Sequence, residues 1–194
     1  MRAQVRCRRA ALRRRAGAPT MASRNEPSER DPMNPASHPA SHTASYTASA
    51  KRLTNAGARQ ILETAMEKAR AAGIQVAVAI VDGGGNLLLL ERMDTARFHL
   101  VHSSTTKARC CASNKRPTTS KGAVAQPLDV AHALGLALAA GPENWTAMEG
   151  GCPIIFDGEC VGGVGVSGGS WDMDAQIAEE AVRSIGASVS IDGK

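Results

Sequence analysis

Two stretches of this chain each hold strand-like apolar runs, and from Leu53 onward apolar positions around them recur near helical spacing. Residues 76–94 read VAVAIVDGGGNLLLLERMD, and residues 150–174 read GGCPIIFDGECVGGVGVSGGSWDMD. Each holds two apolar runs of strand length joined by a turn of Gly, Asp or Asn. The turns Asp82-Gly83-Gly84-Gly85-Asn86 and Asp157-Gly158 offer the φ > 0 positions that a hairpin needs. Leu53, Ala56, Gln60, Ile61, Ala65, Ala69 and Ala72 fall near helical spacing, with Thr54 or Asn55 as N-cap and Gly73 as stop. The pattern predicts a second helix over residues 95–114, closed by Arg116-Pro117. It predicts a short apolar helix over 127–140, ended by Gly141-Pro142, and a last helix over 172–185. Asp172 and Asp174 suit the positive end of that last helix. Helix, two strands, helices, two strands, helix is an α+β order: a small antiparallel sheet covered by helices.

Composition divides the chain. Residues 1–53 hold 11 Lys or Arg against 3 Asp or Glu, and residues 54–194 hold 12 against 15, so the overall +5 belongs to the beginning of the chain. Residues 1–52 read as a disordered leader, basic at first and then rich in Ser, Ala and Pro, with an ASHP-ASHT-ASYT repeat. Such composition buries too little apolar surface to offset ordering entropy. The first 20 residues carry seven Arg and no acid. No apolar signal region follows them, and Met21 is read as an alternative start. His38 and His42 are read as part of the low-complexity tract. Residues 53–190 read as one domain. Mildly acidic and poor in aromatics, that domain is a weak candidate for nucleic acid. No run approaches the ~18 apolar residues of a membrane span. Five cysteines without framework spacing read as reduced thiols, which points to a cytoplasmic protein.

The segments VAIVDGGGNLLLLERMDTA (78–96), KA (107–108), KRPT (115–118), GGCPI (150–154), DGECVGGVGVSGG (157–169) and D-x-x-x-A (174–178) resemble, in order, the GlcG/HbpS family. That family is described as haem-binding or haem-degrading, and also occurs as the C-terminal part of some corrinoid adenosyltransferases. The resemblance implies a profilin-like fold with an antiparallel sheet of about five strands between helices, and a homo-oligomer. It also implies a small-molecule ligand, haem or a related tetrapyrrole.

The candidate site residues each have a plainer reading. Asp94 precedes a predicted helix and is either its N-cap or a direct ligand, or the acid/base group of an enzyme acting on a small organic acid or aromatic catabolite. Arg92 either clamps a carboxylate such as a haem propionate or pairs with Glu91 or Asp94. His99 and His102 share a helix face, so His102 is a candidate haem ligand or part of a polar face. His132, in an apolar helix, reads as packing. Lys107 either contacts an anionic ligand or pairs with an acid. Thr118 matches a Pro-Thr pair implicated in haem contact among relatives, or serves as a turn residue. Ser167 to Ser170 reads as a tight strand-to-helix connection, the three glycines at 83–85 as a hairpin turn, and Cys110-Cys111 as buried small side chains. A purely accessory oligomeric subunit stands as the remaining alternative.

Overall fold

Both hairpins form, and they join edge to edge in one sheet. The computed structural model describes residues 46–122 and 125–191, and those from Thr47 onward belong to one compact unit. The leader, with Met21, His38 and His42, lies outside the described residues. The elements are α1 (Asn55–Ala71), β1 (Ala77–Asp82), β2 (Leu87–Arg92), α2 (Leu100–Asn114), α3 (Val130–Ala140), β3 (Gly151–Phe156), β4 (Glu159–Ser167) and α4 (Trp171–Arg183). Strand order is β2-β1-β4-β3, antiparallel throughout. The turns follow their chemistry. Asp157 (φ 48°) and Gly158 (φ 77°) supply the paired positive φ of a tight hairpin. In the other turn Asp82 Oδ1 accepts the Gly84 and Asn86 amides, each at 2.9 Å. The hydrogen bonds from Asn86, its backbone amide first, hold the Asp82 carboxyl below the ordinary aspartate range.

The two sheet faces differ in side-chain size, and this decides what packs on each. Register puts Ala79 opposite Gly165, Val81 opposite Gly163, and Gly151 and Pro153 opposite those same glycines, so one face is almost bare of side chains. α2 lies directly on it through Ser104, Lys107, Ala108, Cys111 and Ala112, all buried. The other face presents Val78, Ile80, Val164, Val166 and Ile154. It forms the main core with Ile61, Ala65 and Met66 of α1 and Ile177, Ala178 and Val182 of α4.

A fifth strand is absent among the described residues, so the sheet has four strands rather than about five. Single contacts blunt the open edge of β3 instead. Thr118 N donates to Gly151 O at 2.9 Å, while Gly151 N donates to Thr118 Oγ1 at 2.8 Å. Ile155 and Ser188 exchange amide bonds at 3.0 and 2.8 Å. Two helix expectations also change. α2 starts at Leu100 with His99 at its N-cap position, so Asp94 caps nothing. α3 is apolar all round yet has no buried residue: Val130 is 80% exposed, Leu134 58% and Leu138 70%. A largely apolar helix normally lies in a core, which is why its His132 reads as packing. No helix of the described residues is long and apolar enough to cross a membrane.

Candidate functional site

Lys107 is a buried cation whose donors are all taken up inside the fold. It projects from the buried face of α2 with its side chain 3% exposed. Its three ammonium donors find Val166 O at 2.8 Å, Asp174 Oδ2 at 3.0 Å and Ser167 Oγ at 3.4 Å. Asp174 is equally buried, and its carboxylate accepts the Gly169 amide at 2.8 Å and the Gly168 amide at 3.3 Å. Burial pushes the Lys107 ammonium down from the ordinary lysine range, and the facing carboxylate opposes that shift. Gly150 (φ +104°) makes the room, since a Cβ there would sit 3.0 Å from Lys107 Nζ and 2.8 Å from Asp174 Cβ. The ammonium therefore pairs with an acid, and it does so inside the fold.

The other anticipated residues do not converge. Arg92 ends β2 and its guanidinium hydrogen-bonds the Ala96 carbonyl. Asp94 is exposed in the following turn, without a hydrogen-bond or ion-pair partner among the described residues. His102 is exposed on the first turn of α2. Only Lys107 and Thr118 approach each other, on either side of Gly151: a Cβ there would meet Lys107 O at 2.6 Å and Thr118 Cγ2 at 2.7 Å.

The concave surface lies elsewhere, between the C-terminal half of α2 and the inner side of α3. A crevice of about 290 Å³ is lined by Cys110, Arg116, Pro117, Thr118, Lys121, Leu128, His132, Leu136 and Trp145, among others. Beyond Leu136 and Trp145 it adjoins an open cleft of about 960 Å³ that reaches Arg109 and the glycine turn at Gly83, Gly84 and Gly85. Arg109 Nε is tied to Gly85 O at 3.1 Å. The loop that forms one wall is anchored by Glu149, whose Oε1 accepts the Ser120 amide at 2.9 Å and hydroxyl at 2.5 Å. Leu128, Leu136 and Trp145 give apolar wall, and Arg116, Lys121 and His132 join the hydroxyls of Thr118, Thr119 and Thr146, so the crevice pairs apolar surface with groups able to bind carboxylates.

Sequence reading missed Arg116, Lys121, Trp145 and the placement of His132. His132 is not packing but an exposed side chain that lines the crevice. The available signal was a lone imidazole in an otherwise apolar helix, which the core reading absorbed. Cys110, Cys111 and Cys152 are buried free thiols, as read from sequence for the adjacent pair. Burial pushes all three upward, Cys152 to about 12, so they remain neutral and unreactive. Ser170 caps α4 through Met173 N, so the segment before it is the strand-to-helix connection anticipated. Among the described residues no group of three or more His, Cys, Asp or Glu is placed to hold a bare metal ion.

Comparison with known proteins places this geometry in context. The family described as haem degrading protein HbpS-like matches residues 53–183. A 15.0 kDa protein encoded between dhaT and dhaS in Citrobacter freundii is 33% identical over 130 residues, 67% of this chain and 89% of that protein. A crystal structure of a PduOC–haem complex superposes with TM-score 0.65 at 28% identity, covering 72% of this chain and 99% of the other. A crystal structure of HbpS gives TM-score 0.59 at 29% identity, covering 72% and 94%.

Proposed function

The chain belongs to the HbpS-like family of haem-degrading proteins, and on that premise we propose that it is a cytoplasmic small-molecule-binding protein whose ligand is haem or a related tetrapyrrole, held in the crevice between α2 and α3. The observation that carries this reading is the donor set of that crevice. Arg116 and Lys121, both exposed, line it and offer cations for propionates, Leu128, Leu136 and Trp145 offer apolar surface for a ring face, and His132 offers a nitrogen. The residues fit the group. Thr118 keeps a place, because its Oγ1 accepts from Gly151 and leaves its own proton to donate. Arg92, Asp94, His102 and Lys107 stand outside the crevice lining, and a buried, fully satisfied ammonium is a poor ligand contact. The acid–base reading built on Asp94 has no comparable enclosure around it. Haem, when bound, supplies redox chemistry at its iron; the chain's part is to bind the carboxylates, orient the ring and exclude water from one face.

Titrating full-length protein with hemin should give a saturable Soret change at one equivalent per chain at micromolar concentration. A linear, unsaturable response would overturn the reading. Each charge-assisted contact is worth about 1.5–3 kcal/mol, so Arg116→Ala with Lys121→Ala should weaken binding by roughly two to four orders of magnitude. Arg92→Ala should leave it unchanged.

Homo-oligomerisation belongs to the same proposal, with the outward side of α3 as its surface. Val130, Leu134 and Leu138 follow one another every fourth residue and are all exposed. Folded monomers rarely leave such a contiguous apolar patch open. At 11 residues and with no Lys or Arg, α3 is a poor membrane anchor. A stripe centred on Leu134 is self-complementary about a two-fold axis, which pairs Val130 with Leu138 of a second copy. Leu134→Glu with Leu138→Glu should lower the solution mass by light scattering to that of a smaller species. An unchanged mass would remove α3 from the interface.

A further inference from the structure

We infer that His132 is the residue whose imidazole would hold haem iron in this chain, an assignment that rests on the binding reading above. Among the described residues there are three histidines, and they are not equivalent. His99 stands at the N-cap position of α2, its ring edge-on to exposed Phe98 at 5.9 Å, and His102 is exposed one turn along; neither lines the crevice. His132 does line it, from the first turn of α3.

Its imidazole is also uncommitted. The hydrogen bond from His132 to Asp129, at 3.0 Å, is donated by the backbone amide, as an N-cap requires, and the ring has no partner among the described residues. Neutral imidazole with a free lone pair is the form that binds iron. Leu136 follows at i+4 and lines the same crevice, so the ligand nitrogen and an apolar wall sit on one side of the helix.

The rival ligand in the crevice is Cys110, and its setting disfavours it. Its Sγ lies 3.5 Å from both Thr146 O, to which it donates, and Asn114 Nδ2, from which it accepts. A thiol engaged in this way and buried remains protonated, whereas iron ligation calls for thiolate. No covalent step is involved: the imidazole lone pair is donated to iron.

Hemin-loaded full-length protein tests the assignment by resonance Raman and electron paramagnetic resonance. Wild type should show imidazole ligation, and His132→Ala should lose that signature, weaken hemin binding about tenfold or more, and recover the wild-type spectrum on addition of free imidazole. His102→Ala should leave the signature intact. If wild type takes up hemin saturably and His132→Ala keeps the imidazole signature, the assignment falls while the binding reading stands. If wild type takes up none, both fall. Unchanged far-ultraviolet circular dichroism of the variant, whose side chain is exposed, separates ligand loss from misfolding.

Discussion

Substituting Lys107 by Met, or Asp174 by Asn, should cost about 3–5 kcal/mol of unfolding free energy in either case, because each leaves a buried polar group without its partner. The pair is 3.0 Å apart with both side chains about 3% exposed, so water cannot take over the lost contact. Loss of Lys107 strands Asp174 with only the Gly168 and Gly169 amides. Loss of the carboxylate charge strands an ammonium facing Val166 O and Ser167 Oγ. Each also loosens a junction where α2, α4 and the end of β4 meet.

A double-mutant cycle separates this account from one in which either residue merely fills space. Lys107→Met combined with Asp174→Asn removes both charges together. It should be less destabilised than the sum of the single variants by more than about 1 kcal/mol. Urea titration with matched slopes would measure it. Additive losses, or single-variant losses below about 1 kcal/mol, would show that the pair is not what holds α2 to α4. Buried ion pairs are weak evidence for net stability, and the expected near-recovery in the double variant is consistent with that.

The sheet was legible in the sequence because its turns are chemically demanding. Asp157-Gly158 and the Asp82 turn each restrict the backbone to hairpin geometry, and apolar runs of strand length flank them. The cap at Thr54, one of two candidates with Asn55, was legible for the same local reason. What the sequence hid was long-range. Nothing near Lys107 announces Asp174, which is 67 residues away, although pairing with some acid was one of its two readings. The four strands themselves were read from the residues, and the count of about five came only from the family resemblance; at that edge a threonine hydroxyl and one bridge at Ser188 stand instead. α3 misled most, since apolar content says that a surface is to be covered but not whether the cover is the chain's own core or something else. Its misreading carried His132 with it, and the crevice was lost to the sequence along with both.

Gly165→Ala should destabilise the fold by about 3 kcal/mol or more, and lower the melting temperature by about 10 °C, although it adds a single methyl group. A Cβ at this position would stand 2.0 Å from Ser104 O, 2.7 Å from Ala108 N and 3.0 Å from Lys107 Cβ. The two nearest atoms are helix backbone, which no rotamer change moves aside, so α2 must lift from the sheet. Gly163 repeats the constraint one pleat away, 2.3 Å from Ala108 O, so α2 cannot tilt about Gly165 to escape. Lifting α2 also shifts Cys110, Arg109 and Asn114, which line the crevice and its adjoining cleft. Hemin affinity should fall with stability even though position 165 touches neither. Gly135→Ala is the matched control: nothing lies within 4 Å of a Cβ there, and the site is a helix interior, so it should be neutral or stabilising by up to about 1 kcal/mol. If thermal unfolding ranked the two variants equally, close seating of α2 on a glycine face would not be what positions the crevice, and the link from β4 to the binding surface would fail.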